Sequence, residues 1–366
     1  MADLCFHGKL AVQQRVLPPY RAAFFDALAL ACEGGLSVFA GEAHPGEAIT
    51  SGTLKTAGFV PGHNLHLLRG PFYLCWQDGL SAWLVGWDPD ALIVEANPRY
   101  LATPAAVRWM KRRGRPVLGW GLGAPLLTGP LSTPRRNRRL SFVRQFDAML
   151  TYSWRGAEEY AALGIPADRI FVAPNATAAR PSWPLPTRSP AFDRKPSILF
   201  VGRLQVRKRV DLLLQACAAL PENLQPHLVI VGDGPQRAAL EDLARTVYPS
   251  AEFPGAQHGA DLAPYFSSAD LFVLPGTGGL AVQQAMSYGL PVIMGQGDGT
   301  NDDLVRPENG WQLPGPGSLP GVLRRALSDV SRLRAMGAES YRIVSEEINL
   351  EKMVAVFISA VKQLVA

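Results

Sequence analysis

The chain has 366 residues, 48% of them apolar and only 18% charged, with a net charge of +5. That length suits two domains with full cores, and so little charge excludes a disordered chain. No apolar run approaches the roughly 20 residues of a membrane span, and residues 91–96 and 228–231 are strand-sized.

The opening residues, interrupted by Asp3 and His7, lack a signal-peptide core. Cys5, Cys32, Cys75 and Cys217 show no CxxC pairing. Both features predict a cytoplasmic protein with reduced thiols and no metal site.

In chain order, the first half predicts strands at 10–17, 36–40, 65–69, 91–96, 116–120, 148–152 and 170–173. Helices are predicted at 20–32, 103–113 and 155–163. Between residues 101 and 146 there is no Asp or Glu, yet Arg108, Lys111, Arg112, Arg113, Arg115, Arg135, Arg136, Arg138, Arg139 and Arg144 all fall there. Such a block is a solvated basic face, or it meets phosphates or an anionic membrane. No aromatic-rich module accompanies it, which argues against nucleic acid.

Residues 180–196 hold five prolines and predict a semi-rigid linker. Expected domains are therefore 1–179 and 197–345, with a final helix in 346–366 that could pack back on the first. The second half predicts strands at 197–202, 227–232, 270–275 and 290–294, alternating with helices at 210–220, 236–246 and 281–288. Strand, turn and helix repeating at this length predict βαβ units and parallel sheets, hence an α/β protein of two Rossmann-like domains. A cleft between the two sheets' carboxyl ends is the expected ligand site, with domain closure on binding.

Three turns of the second half draw attention. In Val201-Gly202-Arg203-Leu204-Gln205-Val206-Arg207-Lys208, Arg203 follows a strand and Lys208 precedes a helix, a placement of two cations that suits a diphosphate. The turn Gly232-Asp233-Gly234-Pro235 has Arg237 where a dinucleotide fingerprint needs its third glycine, so it reads either as a structural turn or as part of the site. In Pro275-Gly276-Thr277-Gly278-Gly279-Leu280, a strand gives way to a Gly-rich loop and then a helix, exposing amides to an anion. The first-half turn Gly119-Trp120-Gly121-Leu122-Gly123 reads equally as backbone geometry or ligand approach.

Taken together, LFVGRLQVRKRVDLLLQA, LVIVGDGPQRAALEDLA, the FPG at 253–255, YFSSADLFVLPG and GGLAVQQAMSYGLPVI resemble the family-4 glycosyltransferases. LPPYRAAFFDALA, PDALIVEANPRY, GRPVLGWGLG and IFVAPNA resemble them more loosely. The resemblance implies a GT-B fold and a retaining, metal-independent transfer from a nucleotide-diphosphate sugar, with no other cofactor. It implies that Arg203 and Lys208 hold the diphosphate, assisted by Gly202, Gly234, Gly278, Gly279, Leu280 and Gln284.

The family's two glutamates around the third loop correspond to Gly276 and Gln284 here, and a histidine of the first-half turn corresponds to Leu122. Arg21, Glu95, Asn97, Arg99 and Trp120 are the candidates on the acceptor side, Glu95 because it ends a buried strand. The implied acceptor is a saccharide, lipid-linked or small, as in polysaccharide biosynthesis, with peripheral membrane contact through 108–144. A catalytically degenerate binding protein is one alternative. A nucleotide-sugar epimerase is another, with His258 its only plausible histidine.

Overall fold

The computed structural model describes residues 5–44, 47, 51–68, 70–129, 132–295, 297 and 300–365. The chain forms two compact units, Met1–Ala179 with Leu350–Ala366, and Arg180–Asn349.

The first unit contains strands β1 (Leu10–Val16), β2 (Leu36–Gly41), β3 (Gly58–Pro61), β4 (His63–Leu67), β5 (Leu74–Asp78), β6 (Ala91–Glu95), β7 (Val117–Gly121), β8 (Ala148–Thr151) and β9 (Ile170–Val172). Its helices are α1 (Ala22–Leu30), α2 (Leu80–Trp87), α3 (Thr103–Lys111), α4 (Ser132–Val143) and α5 (Trp154–Leu163). Seven strands form a parallel sheet in the order β3-β2-β1-β6-β7-β8-β9.

The second unit contains β10 (Ser197–Val201), β11 (His227–Val231), β12 (Glu252–Gly255), β13 (Leu271–Leu274), β14 (Val292–Met294) and β15 (Gly310–Gln312). They form a parallel sheet in the order β12-β11-β10-β13-β14-β15. Its helices are α6 (Val210–Ala218), α7 (Arg237–Val247), α8 (Ala263–Ser268), α9 (Ala281–Ser287), α10 (Thr300–Leu304), α11 (Leu319–Ser328) and α12 (Val330–Glu346).

The central strands are buried on both faces, which is why LIV, ILF, LVIV and LFVL are unbroken apolar runs. In each sheet the order reverses beside the first strand, between β1 and β6 and between β10 and β13. The carboxyl ends of those strand pairs are where open α/β sheets leave a crevice for ligands.

The strand expected at 65–69 belongs to a different structure. It pairs antiparallel with β5 as a separate hairpin, with Asn64 opposite Gln77 and Leu65 opposite Trp76, and Arg69 lies outside the described residues. The helix expected from Tyr20 starts as a 3-10 turn at Pro19–Arg21 and becomes α-helical only at Ala22. Proline is tolerated in a first turn because its missing N–H has no partner there anyway. Short edge strands and the arginine-rich α4, with too few apolar residues for a clear stripe, carried no usable periodicity.

The proline-rich stretch 180–196 lies along the second unit. Trp183 donates its indole N–H to Ser287 O at 3.0 Å, and Arg188 donates to the carbonyls of Phe266, Ser267, Ala269 and Tyr288 around the end of α8. Arg194 and Arg334 both pair with the buried Asp270.

The last helix, α13 (Leu350–Val365), packs in the first unit. Phe357 is fully buried, its ring 4.9 Å from both Phe24 and Trp120. Truncation there leaves a hole beneath the main sheet, so Phe357→Ala should destabilise the first unit by about 3–5 kcal/mol. Urea unfolding followed by hydrogen exchange should place that loss in residues 5–179 and leave the β10–β15 sheet protected.

Candidate functional site

In the second unit the first and third turns meet. The segment after β10 folds into a 3-10 turn, Val206–Lys208, and the amide of Thr277 donates to Arg207 O at 3.0 Å. Lys208 is 6% exposed, and its ammonium donates to Thr277 O at 2.8 Å and Gly278 O at 2.7 Å. Burial, with a smaller contribution from Arg207, lowers its pKa to about 8. An ammonium has three N–H donors, so one remains for a ligand.

Arg207 reaches the same Thr277 carbonyl at 3.3 Å. Arg203 is exposed and makes no hydrogen bond or ion pair among the described residues. Gly278 adopts φ +64°, and a β-carbon there would sit 3.4 Å from Arg207 Nη1 and 3.8 Å from Lys208 Nζ. The amides of Gly278, Gly279 and Leu280 donate to nothing among the described residues. Free amides and buried or exposed cations thus converge at the β10/β13 switch point, an arrangement suited to a phosphate.

Two glycines here are dictated by backbone contact. A β-carbon at Gly276 would lie 2.0 Å from Arg207 O and 2.5 Å from Lys208 Cα, so no glutamate fits this position while the turn is docked. Gly234, at φ +155°, would place one 2.4 Å from Leu204 O, and the amide of Leu204 donates to Asp233 O at 2.8 Å. The second turn therefore buttresses the first. Gly202 continues β10, its amide bonded to Val231 O. Gln284 is half-buried on α9, one helical turn beyond Leu280.

In the first unit a cavity of about 380 Å³ opens at the β1/β6 switch point, lined by Gln14, Arg15, Tyr20, Arg21, Glu95, Tyr100 and Tyr152 among others. A second, of about 350 Å³, shares Glu95, Tyr100 and Tyr152 and adds Asn97, Trp120, Leu122 and Arg139. Glu95 accepts the Arg15 amide at 2.8 Å, while its own amide donates to Gln13 Oε1 at 3.1 Å. Burial raises the pKa of its carboxyl, opposed by the Arg15 amide and charge.

Arg15 forms a two-pronged pair with Glu47 at 2.8 and 3.1 Å. Burial lowers the Glu95 carboxylate's appeal as an anion but does not unseat this pair, in which Glu47 stays below its ordinary range through Arg15 although desolvation pushes the other way.

Arg21 is 4% exposed, bonded to Asn175 Oδ1 at 2.7 Å and flanked by the rings of Tyr20, Trp120 and Tyr152 at 5.0–5.2 Å. Trp120 is buried at 1% among Phe24, Phe25, Tyr152 and Phe357, so it is a wall of the core that only edges the cavity. Asn97 closes a tight turn by accepting the amide of Arg99 at 3.1 Å, and Arg99 points to solvent. Leu122 is 52% exposed, held out by flanking glycines that abut α5.

Behind the cavity lies a group that the expectations missed. Gln13, Gln77 and Asn64 are buried, and Gln13 Nε2 donates to Gln77 Oε1. Gln77 donates to Gln14 O and Asn64 Oδ1 at 3.0 Å, and Asn64 donates to the carbonyls of Arg15 and Glu42 at 2.7 Å. The signal was legible: Gln13-Gln14 interrupts the apolar run of a central strand.

The basic block is less uniform than its sequence. Arg115 pairs with Asp88 at 2.6 Å and Lys111 with Asp147 at 3.0 Å, acids supplied from outside it, while Arg135, Arg136 and Arg138 are exposed on α4. At the first unit's amino end, Cys5, His7 and Glu33 come within ligand range of one another, which cysteine spacing could not show. No helix among the described residues is long and apolar enough to cross a membrane.

The family model described as "Glycosyl transferases group 1" matches residues 195–329, spanning the turn after β10, the Gly232–Pro235 turn and the Gly-rich loop. That stretch, a little over a third of the chain, is similar to the group 1 glycosyl transferases. It is 33% identical over 250 residues to the GDP-mannose-dependent alpha-mannosyltransferase of Mycobacterium tuberculosis, covering 63% of this chain and 62% of that one. To the Mycolicibacterium smegmatis protein of the same name it is 35% identical over 167 residues, 43% of this chain and 42% of the relative. The chain therefore matches about half the length of these relatives.

The structure of Anabaena HepE in complex with UDP superposes with a TM-score of 0.70 over 97% of this chain and 99% of that one, at 14% identity. The fold is GT-B. None of these relatives is an epimerase, and His258 lies exposed on the loop before α8.

The contact at Gly276 gives a direct test. Gly276→Ala should displace the 206–208 turn and cost about 1–3 kcal/mol of second-unit stability. Thermal unfolding alongside Gly315→Ala, at a glycine with open space around it, provides the comparison.

Proposed function

We propose that this chain is a retaining glycosyltransferase that takes a sugar from a nucleoside-diphosphate donor held by its second unit and passes it to a saccharide acceptor held by its first. The observation that carries this reading is the buried Lys208 ammonium, with one donor to spare, beside the unpartnered amides of Gly278–Leu280.

In the proposed step the bond between the anomeric carbon and the β-phosphate oxygen breaks, and the acceptor hydroxyl oxygen bonds to that carbon from the same face. Its proton passes to the departing diphosphate. Lys208 and Arg203 neutralise the charge growing on that group, so no metal is required. Gln284 faces the ribose in this reading, supplying one hydrogen bond where a glutamate would supply a charge. Glu95 and the Tyr100 hydroxyl orient the acceptor.

The GDP-mannose of the relatives and the UDP of the HepE structure define the first donors to try. We place the reaction in the cytoplasm, with α4's exposed arginines meeting an anionic membrane where the acceptor is lipid-linked. The alternative of a degenerate binding protein is motivated by Gly276, Gln284 and Leu122, and it predicts donor binding with no turnover of any acceptor.

The test is calorimetric titration with GDP, UDP and ADP in the presence of EDTA. One nucleotide should bind, and Lys208→Met should weaken it by a factor on the order of 100, about 3 kcal/mol. No binding by any of the three would sink the donor assignment.

A pH series adds an independent check. Below about 8 Lys208 is protonated and binds the diphosphate. As pH rises through that value the charge is lost, and affinity should fall by about tenfold per unit, a step absent from Lys208→Met.

A further inference from the structure

We propose that the acceptor carries an oxyanion, a phosphate or carboxylate, which Arg21 and Arg139 receive in the paired cavities of the first unit. This rests on the reading of that unit as the acceptor domain.

The two cavities are lined by three guanidinium groups, Arg15, Arg21 and Arg139, and by one carboxylate, Glu95. Arg15 is neutralised by Glu47 through two hydrogen bonds. Arg21 has no carboxylate within ion-pair distance among the described residues; its donors meet Asn175 Oδ1, the Tyr152 hydroxyl and, at 3.9 Å, the sulfur of Met353. Arg139 likewise lacks one, and donates to the carbonyl of Pro125 at 2.8 Å. Glu95 is bound by a backbone amide instead of either guanidinium, and its burial disfavours its charge.

The pocket is thus left with a surplus of positive charge on the buried Arg21 and the half-buried Arg139, the latter offset in part by the nearby Glu159. Burying a cation without a counter-ion is unfavourable. The aromatic faces around Arg21 offset part of that cost and hold the planar fork still. A rigid, desolvated guanidinium at a cavity wall is the arrangement that recognises an oxyanion by two parallel hydrogen bonds. A neutral sugar would leave the surplus in place.

Arg21 could instead serve only to join α1, β8 and α13, and the experiment separates the two roles. Full-length protein carrying Lys208→Met, which silences the diphosphate site, is titrated calorimetrically with glucose, glucose 6-phosphate, glucuronate, and farnesyl phosphate in detergent. At least one anionic probe should bind about tenfold or more tightly than glucose. Arg139→Gln, at a half-exposed position, should weaken that probe about tenfold, and Arg21→Gln more. Arg21→Lys, which keeps the charge but not the fork, should fall between Arg21→Gln and the parent. If Arg21→Gln does not fold, Arg21→Lys and Arg139→Gln decide.

Preference for farnesyl phosphate assigns the anion to a lipid phosphate, and preference for glucose 6-phosphate or glucuronate to the saccharide itself. Equal binding of glucose, no binding of any probe, or unchanged affinity in folded Arg21 and Arg139 variants overturns the proposal. Failure of the donor reading is visible separately, as loss of nucleotide binding in the protein with Lys208 intact.

Discussion

The second unit is organised around one buried ammonium. Lys208 is drawn out of water to bond the carbonyls of Thr277 and Gly278, and this joins two turns that leave neighbouring strands. The contact leaves no room for a side chain at 276, and it brings Arg207 against the same carbonyl. A lysine held this way resists protonation, so the loop is poised to gain from any anion that restores the favoured charged form. Arg209, at φ +53°, lets the chain turn from the 206–208 segment straight into α6, and the strain of that left-handed residue sits beside the ligand-facing turn.

The first unit solves a related problem with amides. Gln13, Gln77 and Asn64 tie the β4–β5 hairpin to the end of β1, and Asn64 pins the segment after β2. Every buried polar atom of such a network must be paired or it is costly, which makes the network a stiff support. Its outer members fix Arg15 and Glu95, so the cavity walls are set by side chains that never reach the cavity.

Much of this was legible from residue patterns. Parallel strands buried on both faces announce themselves as apolar runs, the turn after β10 was marked by its cations and the turn after β13 by its glycines. What stayed hidden was whatever depends on tertiary contact. Trp120 looks like a ligand-facing aromatic in Gly-Trp-Gly, yet α13 covers it with Phe357. Arg21 stood out only as an acceptor-side candidate, and nothing in its neighbours along the chain showed that three rings flank it. Residues 65–69 carry a strand's composition without revealing that their partner is a hairpin neighbour and not the main sheet. The linker-like prolines of 180–196 gave no sign that Arg188 would cap the end of α8.

Because α13 belongs to the first unit's core, the chain passes from the first unit to the second and back again. During synthesis the first 179 residues emerge with a sheet face uncovered, and the aromatic surface of Phe24, Phe25 and Trp120 stays open until residue 357 follows. The second unit, continuous in sequence, has no such wait. The order of emergence and the order of completion are therefore reversed.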